Sequence, residues 1–436
     1  MTYEEILDYI KNIPKFVKKN EPEVTKAFLK EIGDFSKDIP TVHVAGTNGK
    51  GSVCAFLNTA LSEQGFKTCM FTSPHLIDIR ERFSYNNEMI SKEDFTDAFD
   101  EVMSKLEIFK HDDRYGGYHP SYFELLFMMA AARINRLKPD VVILETGLGG
   151  RLDATSSIET PALCVITEIG LDHCKYLGNT KPLIAAEKAG IIVQGVPVVF
   201  ADKAKEVSDV FFETAKSLEA PAYPVSLKNI KNCERTEAGI DFWMHSLYHE
   251  NVKILLKTSA SYQVENAAIS YTALEVLKDS LSEPIDLKKA SLSFENMKWP
   301  GRMERLKERF LFDGAHNPDG IKAFLDTVKN DGAGKRVLLY TAVSDKDIDT
   351  EASMIIKSKL FDAYRLCKLE DSRGADKEHL LEAFEGAENV SFYTDVKSAF
   401  ESLPFGESKT FCYAAGSLYL YAEIKPLLQE VEDDRF

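Results

Sequence analysis

A glycine-rich turn set between an apolar run and a helical pattern constrains this chain more than any other feature. Residues 40–45 read as a buried strand, and Gly46-Thr47-Asn48-Gly49-Lys50-Gly51-Ser52 follows it directly. Val53, Phe56, Leu57, Ala60 and Leu61 then recur at helical spacing, with Gly65 as a stop. Strand, loop and helix in that order build a phosphate cradle. Glycines let backbone N–H groups converge, the helix start adds partial positive charge, and Lys50 supplies a full one. The spacing departs from the strict P-loop signature, because Gly51 separates Lys50 from the Ser52 hydroxyl. A tight turn with a solvent-facing lysine is the alternative, and the flanking elements favour the cradle.

The same rhythm continues. Apolar runs at 67–71, 141–144, 162–167 and 196–200 alternate with helical patterns such as 122–137, which predicts α/β layers. Residues 208–259 read as a less regular, strand-rich excursion before a helix near Glu265. At Trp299, Pro300 and Gly301 the rhythm breaks, as a linker would break it. A second series follows, with strands at 309–312, 336–340, 361–367, 390–393 and 410–413 and helices from 318, at 377–384 and from 417. A length of 436 residues suits two or three domains. The expected architecture is an N-terminal P-loop-type, mostly parallel sheet domain (1–297) and a smaller Rossmann-like α/β domain (298–436).

A formal charge of −16 argues against nucleic acid as the main partner, since phosphate neutralisation needs a basic face. Small anionic ligands need only a local patch. The seven cysteines are scattered with no Cys-x-x-Cys pair, which suits a reducing compartment better than a disulfide frame or zinc site. No window reaches the roughly 18 consecutive apolar residues of a membrane helix, and residues 1–10 carry acids where a targeting segment carries bases. A cytoplasmic protein with no membrane partner is expected.

The run at 141–144 delivers Glu145 to the carboxyl end of a central strand, where ligands of open α/β sheets gather. A Mg²⁺ ion bridging nucleotide phosphates takes one or two carboxylates plus hydroxyls and water. Glu145 suits that role, although a strand-end acid facing solvent is an equal alternative. Thr146-Gly147-Leu148-Gly149-Gly150-Arg151-Leu152-Asp153-Ala154-Thr155 comes next, and Ile169-Gly170-Leu171-Asp172-His173 and Glu187-Lys188-Ala189-Gly190-Ile191 stand further on. Beyond the linker stand Arg302-Met303-Glu304, Asp313-Gly314-Ala315-His316-Asn317-Pro318, Ser344-Asp345-Lys346-Asp347 and Gly416-Ser417-Leu418.

With Ser73-Pro74-His75-Leu76, Glu81-Arg82-Phe83 and Ser121-Tyr122-Phe123-Glu124, this ordered set resembles the folylpolyglutamate synthase and dihydrofolate synthase branch of the Mur ligase superfamily. The resemblance departs at Tyr262-Gln263, where the family has His-Gln, and at Ser156, where it has asparagine.

The resemblance implies an ATP-dependent ligase. It would phosphorylate a folate carboxylate and let L-glutamate displace the phosphate, with Mg²⁺ assisting and the protein acting as a monomer. Thr47, Asn48, Gly49, Lys50, Gly51 and Ser52 would hold the phosphates, and Asn266, Arg302 and Asp313 the rest of ATP. Ser73 and Glu145 would bind one Mg²⁺; His173 and a carbamylated Lys188 would help hold a second. Lys50, Lys188 and His316 would be catalytic, and Phe123, Asp153 and Ser417 would meet the pterin or the glutamate.

Plainer readings stand beside these. His173 also reads as a satisfied loop histidine, Arg302 as a linker charge and Asp313 as a helix cap. His316 also suits a cap or turn, Ser417 a cap of the last helix, and Lys188 a surface lysine at a helix C-terminus. A peptidoglycan-type Mur ligase is disfavoured by the loop form and by a nucleotide loop starting at residue 46. A nucleotide-dependent switch is disfavoured by the second domain with its own Asp-Gly-Ala-His-Asn-Pro turn.

Overall fold

A computed structural model of the chain describes residues 1–13, 22–112, 115, 117–236, 238–407 and 409–430. The first series of apolar runs becomes one eight-stranded sheet. Its strands are β1 Thr41–Ala45, β2 Thr68–Phe71, β3 Phe83–Tyr85, β4 Glu88–Met89, β5 Val141–Glu145, β6 Leu163–Ile166, β7 Val198–Ala201 and β8 Ala222–Val225. In space they lie in the order β4-β3-β2-β5-β1-β6-β7-β8. Every neighbouring pair from β2 to β8 is parallel, and β3 and β4 add an antiparallel edge. Strands β1, β5, β6 and β7 are buried along their whole lengths. Helices on both faces explain why they read as nearly continuous apolar runs, His43 at the centre of β1 being the internal exception. Val141 and Ile143 of β5 pack toward the helices Lys50–Ser62 and Gln263–Leu277. Val142 and Leu144 pack the other way, onto Lys92–Lys110 and Tyr122–Leu137.

The excursion is only partly strand-rich. Its start lies in a helix, Lys205–Ser217, whose buried apolar stripe is just Val207, Phe211 and Ala215 among charged residues. Such a narrow stripe is weak as a periodic signal. Beyond β8, an antiparallel sheet of β9 Ile230–Thr236, β10 Gly239–Met244 and β11 Val252–Leu256 follows. Ile240, Phe242, Ile254 and Leu256 join the core under the helix Gln263–Leu277.

The second series forms a separate six-stranded sheet. Its strands are β12 Glu304–Lys307, β13 Phe310–Phe312, β14 Lys335–Tyr340, β15 Ala363–Cys367, β16 Val390–Tyr393 and β17 Thr410–Ala415. The order is β12-β13-β17-β14-β15-β16, parallel except for the β12–β13 hairpin. All six strands lie at or beyond Glu304, and none of them joins the first sheet. The last helix starts at Tyr419, two residues after the expected point.

Within this second core Glu351, on the helix Ile348–Ser358, is fully buried, and the Tyr340 hydroxyl donates to its Oε2 at 2.8 Å. Burial pushes its carboxyl from the ordinary 4.5 to about 8, against the pull of Tyr340 and Lys346. The folded chain therefore keeps a proton that the unfolded chain releases. Stability present at low pH is lost as pH rises from about 4.5 to about 8 and then levels off, a term of roughly a few kcal/mol. Glu351→Gln should remove this slope. Melting temperatures across that range would show the wild type falling relative to the variant; parallel curves would refute the assignment.

Candidate active site

β1 and β5 are adjacent and parallel, with Val44 opposite Glu145, so the glycine loop and the Glu145 carboxylate emerge at one sheet edge. Two glycines are required there. Gly46 has φ +145°, and a Cβ on it would lie 1.8 Å from Thr167 Oγ1; Gly49 has φ +92°, and its Cβ would lie 2.3 Å from Asn266 Oδ1. Lys50 opens the helix Lys50–Ser62, and Gly51 lies flat against the Trp299 ring. The amides at 50–52 have no acceptor within the helix and are free to face a phosphate. Those of Thr47 and Asn48 are committed to the Glu168 carbonyl, at 2.8 and 3.3 Å. Ser52 is buried, its Oγ accepting from Gln263 Nε2 at 3.1 Å.

Lys50 Nζ stands 3.8 Å from Glu145 Oε1 and 3.3 Å from the Thr47 carbonyl, so it turns inward over the loop. Glu145 is only 2% exposed, which corrects the solvent-facing alternative. Burial raises its carboxyl, while Lys50 and the Ser73 N–H, donating at 2.9 Å, oppose that shift.

Across the division, Asn317 caps the helix Pro318–Val328, its Oδ1 accepting from Gly320 N at 2.8 Å. Its Nδ2 donates to Asn48 Oδ1 at 3.0 Å and to Asp172 Oδ2 at 3.3 Å. The cap reading of Asp313 is thereby overturned. Asp313 is 2% exposed and accepts from Ala315 N at 2.8 Å, Met303 N at 2.9 Å and the Tyr262 hydroxyl at 2.5 Å. The tyrosine at the departure from the family pattern thus fixes this carboxylate. A cleft is lined on one side by Asn48, Gly49 and Ser52, and on the other by Arg302, Asp313 and His316. Tyr262, Glu265 and Asn266 form its floor. Asn266, Arg302 and Asp313 therefore meet the loop, as expected, and Arg302 is no stray linker charge.

Asp172 is the centre of a cluster that the sequence reading left without a role. Lys346 Nζ lies 2.7 Å from its carboxylate, His316 Nε2 3.7 Å and His173 Nε2 3.9 Å. Burial alone would raise Asp172, but Lys346 foremost holds it well below the usual carboxylate range. His316 is driven down to about 3 by burial, with Lys346 adding to the effect, so it is a neutral imidazole near pH 7. Its Nδ1 donates to the Gly314 carbonyl at 2.6 Å, which leaves Nε2 as the lone-pair nitrogen. His173, at φ +51°, is also lowered by burial. Lys181 and Asp319 add a further tie between the units at 2.9 Å.

Lys188 lies on the helix Lys181–Ala189, capped by Thr180 with Pro182 in the first turn, as the sequence implies. Gly190 ends the helix at φ −62°, in the ordinary right-handed region. A Cβ there would sit 2.3 Å from Arg151 Cβ, and close approach is what demands glycine. Lys188 is 4% exposed, which overturns the surface-lysine reading. Burial first, then Lys50, pulls its ammonium down to about 7.

The remaining candidates are more tightly bound into the fold. Asp153 Oδ2 accepts from Leu148 N at 2.8 Å, and Oδ1 from Thr155 N at 3.1 Å and Thr155 Oγ1 at 2.6 Å. It pins the turn after Glu145. Phe123 packs 5.6 Å from Phe71, centroid to centroid, and covers Gly147. Ser417 is buried, its Oγ accepting from Tyr419 N at 3.2 Å, so the geometry supplies the cap. Asp172, Lys346, Asn317 and Tyr262 went unassigned because each sits in a turn or at a helix start, where no period marks it.

Among the described residues no group of three or more His, Cys, Asp or Glu side chains forms a ready metal cage. Mg²⁺ does not need one, since it keeps waters and leans on substrate phosphates. A buried carboxylate beside Ser73, and a neutral His173 near Asp172, are donors of the right kind.

Residues 301–417 match the Mur ligase, glutamate ligase domain. The dihydrofolate synthase/folylpolyglutamate synthase of Bacillus subtilis (strain 168) is 33% identical over 440 residues, covering 98% of this chain and 99% of that one. Among solved structures, E. coli FolC in complex with DHPP and ADP superposes with a TM-score of 0.84 at 25% identity, over 99% of this chain and 98% of that one. Folylpolyglutamate synthase from Thermotoga maritima gives 0.82 at 26% identity, over 100% and 99%. The likeness runs along nearly the full length of these relatives, and the chain belongs to the folylpolyglutamate synthase and dihydrofolate synthase family of Mur ligases.

Proposed function

We propose that this protein is an ATP-dependent ligase that joins L-glutamate to a folate carboxylate through an acyl phosphate, in the cytoplasm. The observation that carries the reading is a single cleft lined by the glycine loop on one wall and by Arg302, Asp313 and His316 on the other. The seven cysteines are all free thiols, five of them buried, which suits a reducing compartment.

In this reading the amides at 50–52 and the Lys50 ammonium hold the phosphates, while Asn266, Arg302 and Asp313 hold the nucleoside end. A folate carboxylate oxygen attacks the terminal phosphorus and ADP leaves; the glutamate amine then attacks the acyl carbon and phosphate leaves. Lys50 offsets charge on the transferring group. His316, neutral and held by Gly314, offers Nε2 to an N–H of the attacking amine. Asp172 and Lys346 act as positioning residues for His316 and His173. Glu145 with Ser73, and His173 with a carbamylated Lys188, would hold Mg²⁺ ions, which supply further neutralisation of phosphate charge when bound. Asp153 and Phe123 shape the turn where the pterin end would rest, and Ser417 sets the start of the last helix.

A phosphate-release assay with dihydropteroate and tetrahydrofolate side by side, each with and without glutamate, tests the proposal. Glutamate-dependent release with at least one folate is expected. Release that ignores both folate and glutamate would instead favour a nucleotide-driven switch.

A further inference from the structure

The segment after β2 carries a buried cation with no counter-ion. Arg82 ends the one-turn helix Ile79–Arg82 and is 6% exposed. The acids beside it in sequence are engaged elsewhere. Glu81 accepts from the amides of Leu76, Ile77 and Asp78 at 2.7, 2.9 and 2.8 Å. Asp78 is paired with Arg80, Nη2 to Oδ2 at 2.8 Å. Arg82 Nε donates to a neutral acceptor, His75 Nδ1, at 2.9 Å, and its guanidinium stands 5.7 Å from the Tyr122 ring centroid. Glu145 acts on it only through space, its carboxylate being held by Lys50 and the Ser73 amide.

Arg82 also lies where the two units meet. Leu76 packs against the second core and lies beside Gly301. Tyr419, at the start of the last helix, is within electrostatic range of Arg82, and the side chain of Tyr122 hydrogen-bonds to it. The nearby Arg373, over the Tyr419 ring at 4.5 Å, is already neutralised by Asp371 through two hydrogen bonds of 2.9 and 2.8 Å. Of the guanidinium groups of Arg80, Arg82 and Arg373, that of Arg82 alone is met by neutral partners, His75 and Tyr122, and by no carboxylate. A buried guanidinium is costly unless an anion meets it, and its fork matches a carboxylate in two-point geometry.

We infer that Arg82 is a carboxylate-binding residue of the cleft between the units. It would hold a substrate carboxylate that does not react, belonging either to the incoming amino acid or to the folate. This rests on the ligase reading above. Bound there, a carboxylate completes the charge balance of Arg82 and draws the Ser73 segment toward the last helix.

The test uses the full-length enzyme with Arg82→Met and Arg82→Lys. Circular dichroism and ADP titration check that each variant is folded, and KM is measured for L-glutamate, tetrahydrofolate, dihydropteroate and ATP. Dihydropteroate is the discriminating substrate, since its single carboxylate is the one that reacts. A KM for glutamate raised by roughly 30-fold or more in Arg82→Met assigns the site to the amino acid. A similar rise for tetrahydrofolate, with dihydropteroate unchanged, assigns it to the spare folate carboxylate. Arg82→Lys keeps the charge without the fork and should show the same pattern more weakly; it carries the test if the methionine variant does not fold. Unchanged KM for glutamate and both folates, equal rises for the two folates, or a rise for ATP alone would overturn the inference. A wild type inactive with every folate would sink the ligase reading instead.

Discussion

Lys50→Ala lowers kcat for ligation by about 10²–10³-fold or more, while circular dichroism stays native. The asymmetry follows from what Lys50 touches. In the free protein its side chain is 17% exposed, and its contacts are a carbonyl at 3.3 Å and a long ion pair of 3.8 Å to Glu145. Losing them leaves Glu145 with the Ser73 amide as a partner, and a buried carboxyl without its counter-charge shifts toward the protonated form. The fold therefore bears a modest cost. Transfer of a phosphoryl group, by contrast, depends on charge placed in advance at the oxygens, in a cleft screened from water. A secondary effect is built in, because Lys50 is one of the groups that depress Lys188. Removing it should let Lys188 regain a proton more readily. Steady-state rates with circular dichroism decide the matter, and near-normal ligation in the variant would end the phosphate-cradle reading.

How far the sequence reaches is best seen at particular elements. Residues 122–137 are a helix in the structure with the expected ends, since a Ser121 capping box and a left-handed Lys138 bound it chemically. Strands β5 and β6 are legible because burial on both faces leaves almost no polar interruption, and β1 is legible despite the buried His43 at its centre. The β12–β13 hairpin was only half visible. Glu304–Lys307 carries charge on a sheet edge, and that pattern does not distinguish a strand from a linker. The same limit applies to the site. The glycine loop and Glu145 announce themselves through the elements that carry them. Asp172 and Lys346, 174 residues apart, acquire meaning only when the units come together and place Nζ against the carboxylate. Burial is likewise invisible locally: Lys188 ends a helix whose sequence suits exposure, and only packing against the Gly150–Arg151 turn hides it.

That burial is what makes Lys188→Ala the other large effect. A lysine with an ordinary pKa of about 10.4 is neutral in roughly one molecule per thousand near pH 7.4. At about 7, well over half would be neutral. A neutral amine can attack CO₂: the nitrogen bonds to carbon, releases a proton and becomes a carbamate anion. The family resemblance implies this modification, and the setting suits it. Lys188 is 4% exposed and lies within electrostatic range of Glu145, Asp153 and Asp172. Those acids raise its pKa while Lys50 and burial lower it, so the balance is sensitive to which charges are present. Conversion replaces a buried amine by an oxygen donor able to help hold Mg²⁺ with His173. Alanine removes the nitrogen that carries the donor, so ligation should fall by about 10²-fold or more, and added acetate or formate should restore part of it by occupying the vacated space. Carbamates are labile, so ¹³CO₂ NMR of the active enzyme is a better probe than intact mass. A carbonyl resonance present in the wild type and absent from Lys188→Ala is expected. An unmodified Lys188 in an active, Mg²⁺-loaded crystal, or an alanine variant with normal turnover, would refute the assignment.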